Sequence, residues 1–286
     1  MKWLDRLNKC LDYIEDNLDG EIEISKLLSI ACLCRTHFNR MFDAVTGMTI
    51  AAYIKNRRMT KAVFDLQQGQ KVIDVAMNYG YSSSESFSRA FKSFHGISPS
   101  QVFGSNHRFA SYSKLNFHIS IKGDTKVNYR IESREEFKVM GKSIITKDTE
   151  GENNTDIIKF WQEIMSDGTL ENLSKASRRN NEEDVCYGIC FPCVDNKSEF
   201  RYVIAVPHTQ DNNGFETYTV PASRWAIFEC VGPLPKTMQD MCHNIYSEWL
   251  PSVDYEINGS VPDVEMYTDG NSSEDDYLSE IWLPIK

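Results

Sequence analysis

The chain has 286 residues, room for two domains with ordinary cores, and eight cysteines without an export signal, expected as reduced cytosolic thiols. No apolar run reaches the ~18–20 residues of a membrane span, so a cytoplasmic protein without membrane contact is expected. The net charge of −10 is uneven: residues 1–110 carry 14 Lys+Arg and 11 Asp+Glu, the rest 17 and 30. The front half suits phosphates, whereas the back half repels them and is expected either to attract cationic partners or simply to stay soluble.

The opening MKWLDRLNKCLDYIEDNL predicts an amphipathic helix rather than a signal peptide. Residues 24–42 read as helix, turn, helix. Leu27, Leu28, Ala31 and Leu33 make a supporting face, and Cys34 is a weak cap. Phe38, Met41 and Phe42 point inward; Arg35, Thr36, Asn39 and Arg40 point out. Thr49 caps a long helix over 50–67 that carries Lys55, Arg57, Arg58 and Lys61. Residues 72–91 repeat the helix-turn-helix plan. Val72, Val75, Ala76 and Tyr79 form a buried stripe, Gly80 ends the first helix, and Ser82 or Ser83 caps the second. In that second helix Phe87, Ala90, Phe91 and Phe94 face inward, leaving Ser84, Glu85, Ser88, Arg89 and Lys92 outward. Ser98-Pro99 starts a closing helix, with Pro where no N–H is needed.

One such unit is also what any small helical bundle offers. Two units with Arg at equivalent places, Arg40 and Arg89, predict a reader of double-stranded DNA, since a helix fits the major groove and Arg reads guanine there. The runs THFNRMFDAVTG, YIKNRRMTKA and VIDVAMNYGYSSSESFSRAFKSFHGISPSQVF resemble the DNA-binding domain of the AraC/XylS transcription regulators. The resemblance covers about a third of the chain. It implies base contacts from Thr36, Arg40, Glu85 and Arg89, with Arg35, Asn39, Ser84 and Lys92 as neighbouring candidates. It also implies an activator that meets promoter DNA and RNA polymerase.

A Ser-, Asn-, His- and Lys-rich linker is expected over 105–126, with strand character at 115–121. The rest carries a weak repeat. Strand VMGKSIIT, a helix over 156–165, and strands CYGICF and YVIAV are echoed by RWAIFECVG, a helix over 235–250, VEMY and YLSEIWLPI. Each half is one helix on an antiparallel sheet. Two halves about a pseudo-twofold would enclose a cleft for a small ligand. Cys186, Cys190 and Cys193, spaced C-x3-C-x2-C, read either as a metal set or, with no His or fourth ligand near in sequence, as buried thiols. Buried thiols are expected, with no metal and no cofactor.

In the last strand Ile281, Leu283 and Ile285 share one face and Glu280, Trp282 and Pro284 the other. Glu280 beside Trp282 fits either a surface Glu with Trp packed on an edge or an aromatic pocket for a lipophilic cation. The endings PDVEMYTDGNSSEDDYLSEIWLPIK and RWAIFECVGPLP resemble the gyrase-inhibitor-like (GyrI-like) effector-binding domain, over about residues 127–286. The resemblance implies a pocket for amphipathic cations, with Glu280 as its carboxylate, Glu265 and Glu163 as alternatives, and walls from Trp161, Tyr187, Trp225, Tyr277 and Trp282.

The expected architecture is multi-domain. An all-α double helix-turn-helix domain (1–104) and a linker (105–126) precede a duplicated α+β domain of antiparallel sheet with helices (127–286). The expected function is a non-enzymatic regulator modulated by a small effector. A small-molecule hydrolase or a protein-contact module for the back half are the alternatives.

Overall fold

The computed structural model describes residues 2–33, 35–117, 127–147, 152–178, 185–192, 199–208 and 214–286. They form two compact units: Lys2–Ala31 with Met48–His118, and Cys32–Gly47 with Ile119–Lys286.

The first unit is helical, with α1 (Lys2–Asp16), α2 (Ile24–Ala31), α4 (Ile50–Gln67), α5 (Val72–Asn78), α6 (Ser84–His95) and a 3-10 turn, Pro99–Gln101. Local chemistry sets its boundaries. The Thr49 hydroxyl accepts the Ala52 N–H at the start of α4. Gly80 adopts φ +80° after α5, a conformation that costs a side-chain-bearing residue more. Ser83 caps α6 by accepting the Ser86 N–H, and left-handed Gly96 closes it. Met59, Ala62, Leu66, Val75, Phe87 and Phe91 make the core beneath α5 and α6. Cationic side chains of α4 serve the fold as well. Arg57 and Tyr53 both donate to the Glu15 carboxylate, and Arg58 donates to the carbonyls of Leu18 and Gly20. Residues 111–117 have no regular structure; the remainder of the expected linker strand, like Cys34 and Cys193, lies outside the described residues.

The second unit holds α3 (Arg35–Thr46) and an eight-stranded antiparallel sheet. Its strands are β1 (Tyr129–Arg134), β2 (Phe137–Lys147), β3 (Val185–Pro192), β4 (Glu199–Pro207), β5 (Glu216–Val220), β6 (Ser223–Val231), β7 (Asp263–Thr268) and β8 (Leu278–Ile285). Helices α7 (Glu152–Ser166) and α8 (Thr169–Arg178) sit between β2 and β3 in sequence. Between β6 and β7 come α9 (Lys236–Asn244), a π-helical turn (Ile245–Trp249) and a last turn, Leu250–Ser252.

The strand order is β1-β6-β8-β7-β3-β4-β2-β5. Exchanging each strand of the first half for its counterpart in the second reverses this order, so the expected duplication is built as one continuous sheet. Strands β1 and β5, absent from the sequence reading, are traded: β1 pairs with β6 and β5 with β2. Helix α8 was also unforeseen.

The two faces of the sheet differ. On one, Trp225, Trp282, Tyr187, Val264 and Val203 form a closed core. Phe137 on β2 lies 6.3 Å, ring to ring, from Trp282 on β8, although β7, β3 and β4 intervene. In a flat sheet four strand spacings would separate them by ~19 Å, so the sheet curls tightly around this face. Helices cover the other face: Phe160 and Ile164 of α7 pack with Phe200, Tyr202 and Ile204, and Trp249 sits edge-on to Phe228 of β6 at 4.8 Å.

Candidate functional site

Beneath the helices lies a cavity of about 860 Å³. Strand alternation decides what reaches it. On β7, Asp263, Glu265 and Tyr267 point to the helix-covered face, and Gly188 of β3 stands opposite Glu265. The Glu265 Oε2 atom accepts hydrogen bonds from Tyr267 (2.9 Å) and Tyr202 (3.3 Å). The Trp161 indole N–H, from α7, donates to the Tyr202 hydroxyl at 3.1 Å, and its ring meets Tyr267 edge-on at 5.3 Å. A side chain at 188 would collide with this arrangement: a Cβ there would lie 2.4 Å from the Tyr202 hydroxyl and 3.0 Å from Glu265 Oε2.

Burial, then the Glu265 charge, pushes the Tyr202 and Tyr267 hydroxyls well above the ordinary phenol range. Both therefore stay donors. Further walls come from Met238, Gln239 and Cys242 of α9, from Leu170 and Tyr277, and from Arg40, Asp43 and Ala44 of α3.

Arg40 donates one guanidinium nitrogen to Asp263 and the other to Glu265. Its side chain is 27% exposed and that of Asp263 only 3%. Burial alone would raise the Asp263 carboxyl, but the Arg40 charge, with His37 3.9 Å away, holds it below the usual carboxylate range. The same two carboxylates hold the Arg40 guanidinium well above its ordinary value against the cost of burial.

Of the residues expected to line a pocket, Trp161 and Tyr277 line this cavity. Glu280, Trp282, Tyr187 and Trp225 lie on the opposite, curled face of the sheet. There Glu280 is 5% exposed and is satisfied by Arg130 (2.7 Å) and the Trp282 indole N–H (2.7 Å). Glu163 is exposed on α7. Of the three glutamates expected at the pocket, Glu265 is the one that lines the cavity, together with Asp43 and Asp269. Gly188 and Tyr202 escaped sequence reading because their roles depend on strand register. Cys186 and Cys190 share the helix-covered face of β3.

Among the DNA-contact candidates, Glu85, Arg89 and Lys92 are exposed along α6 and Ser84 is half-buried. The Glu85 carboxyl is held below its ordinary range by its own backbone N–H and then by Ser83. On α3, Arg35 and Asn39 are half-buried, and the Thr36 side chain lies outside the described residues. Arg40 differs from Arg89 in being committed to two carboxylates.

This fold and cavity define an effector-binding domain in a chain that also carries a helix-turn-helix segment. The chain belongs to the family of the integron-associated effector binding protein, whose model matches residues 130–285, and residues 27–105 match a helix-turn-helix domain of AraC type. It is similar to the transposon Tn10 TetD protein of Escherichia coli, 37% identical over 89 residues, 31% of this chain and 64% of TetD. It is also similar to the HTH-type transcriptional activator AarP of Providencia stuartii, 34% identical over 95 residues, 33% of this chain and 70% of AarP. The matched segment thus spans a little under two-thirds of TetD. A solved structure of SAV2435 bound to tetraphenylphosphonium aligns with TM-score 0.49 and 23% identity, over 56% of this chain and 94% of that one. No helix among the described residues is long and apolar enough to cross a membrane.

Proposed function

We propose that the protein is a DNA-binding transcription activator of the cytoplasm whose cavity around Glu265 takes a small lipophilic cation. Residues 1–104 would read promoter DNA, 105–126 link, and 127–286 sense the effector, with RNA polymerase as the protein partner. One observation carries the effector reading: the Glu265 carboxylate, fixed by two tyrosine donors, lines an aromatic-walled cavity to which Asp43 and Asp269 add further acidic groups. Such a site attracts a cation by charge and by ring faces, at ~0.5–2 kcal/mol per cation–π contact. For the DNA reading the support is Arg89, exposed on a helix capped by Ser83 inside the matched helix-turn-helix stretch.

The test is calorimetric titration of the full chain with tetraphenylphosphonium and with its anionic isostere, tetraphenylborate. Binding of the cation alone is expected. Equal binding of both ions would remove Glu265 from the reading. Selection from a random duplex library then tests the DNA arm, with an enriched motif as the expected result.

A further inference from the structure

We propose that Arg40 is a tethered competitor of the effector: its guanidinium and a cationic ligand contend for Glu265, so that ligand binding frees helix α3. The inference rests on the cation-binding reading of the cavity and adds a coupling mechanism to it. Three observations carry it. Arg40 ends on Glu265 and Asp263, and Glu265, held by Tyr202 and Tyr267, lines the cavity. Its neighbours Asp43 and Ala44 form part of the cavity wall, so α3 is a side of the binding site. And α3 falls in the matched helix-turn-helix stretch as the second helix of its first unit, the element that enters the major groove in such motifs.

The remaining hydrogen-bond capacity of Glu265 is limited. Its Oε2 already accepts from Tyr202 and Tyr267, and its Oε1 accepts from Arg40. A monocation brought against that carboxylate displaces a charge already paired there. Once Arg40 loses Glu265 it keeps Asp263, with the His37 ring 3.9 Å from that group. Bridging both carboxylates, Arg40 is not available to a guanine edge; loss of Glu265 removes one of the two charges that hold it there. Because linkage is reciprocal, the factor by which the Arg40–Glu265 contact weakens the cation equals the factor by which the cation weakens that contact, one of those that hold α3.

The experiment compares tetraphenylphosphonium binding to the wild-type chain and to Arg40→Gln, and follows amide hydrogen exchange of residues 35–46 in the wild type. The variant is expected to bind more tightly by about 5- to 150-fold, the usual range of such coupling. Exchange in α3 is expected to rise when the cation is added. Equal affinities in the two proteins would overturn the competition while leaving the pocket intact. Failure of both to bind would sink the cavity reading and this proposal with it. The exchange measurement needs no variant, and unchanged protection at saturating cation would overturn release of α3 even if Arg40→Gln folds poorly.

Discussion

Glu265 and Gly188 stand directly opposite one another across the β7–β3 pairing, and the absent side chain at 188 is what leaves room for the Glu265 carboxylate and the Tyr202 hydroxyl. The centre of the sheet thereby trades a packing residue for space, at the cost of a Gly inside a strand. Gly188→Ala should force Tyr202 or Glu265 aside. The expected result is at least a several-fold loss of tetraphenylphosphonium affinity with a stability cost of ~1–3 kcal/mol, typical of overpacking. Calorimetry and urea melts measure the two; an alanine that leaves both unchanged would refute the space argument.

The two acidic residues near the C-terminus should separate cleanly. Glu265→Gln is expected to abolish most cation binding while the fold persists. Glu280→Gln should leave affinity near wild type but lower stability by ~1–2 kcal/mol, because Arg130 and the Trp282 N–H lose a charged acceptor at a buried site. Paired titrations and thermal melts of the two variants decide the matter, and the opposite pattern would restore Glu280 as the effector carboxylate.

On α6, Arg89→Ala should cost ~1–3 kcal/mol at a selected duplex and relax base preference at one position. Ser83→Ala acts differently. It removes the cap on the Ser86 N–H and should cost ~0.5–2 kcal/mol of stability. Gel-shift titrations on specific and random DNA, beside melting curves, distinguish a lost contact from a frayed helix.

His95 gives a pH dependence with a definite sign. It is buried, its Nε2 meets the Met59 carbonyl at 3.0 Å, and burial, helped by His107, pushes its pKa below the ordinary histidine value. A lowered folded-state pKa means its contribution is complete above the unfolded value, about 6.5, and is lost as pH falls through the folded value. Urea midpoints should therefore fall between pH 7 and pH 5, and His95→Gln should flatten that slope. An identical slope in the variant would assign the pH dependence elsewhere.

What the sequence disclosed follows the range of each interaction. Thr49, Gly80 and Ser83 were readable as boundaries because a cap or a left-handed turn is decided within four residues. The parity of β8 was readable for the same reason: Ile281 faces the helices and Glu280 and Trp282 face away. Which face holds the cavity was not, since that depends on Gly188 and on the curl that closes the other side. Helix α8 did leave a signal, with Leu170, Leu173 and Ala176 at helical spacing, which would have found it. Strand β1 left none: its burial does not alternate, and its partner β6 lies some ninety residues on. The union of Arg40 with Asp263 and Glu265 spans 223 and 225 residues and has no local trace.

The exchanged strands β1 and β5 make the two repeats mutually dependent. Neither copy closes its own sheet; each lends its first strand to the edge of the other. A polypeptide holding one repeat alone would leave both a donor strand and a bare edge, which two such chains satisfy by swapping across a true twofold axis. The pseudo-symmetric strand order is the one a strand-swapped homodimer of single repeats would show if its two copies were joined in one chain. Within one chain the two copies need not be alike: β7 sets Glu265 where β3, directly opposite, has Gly188.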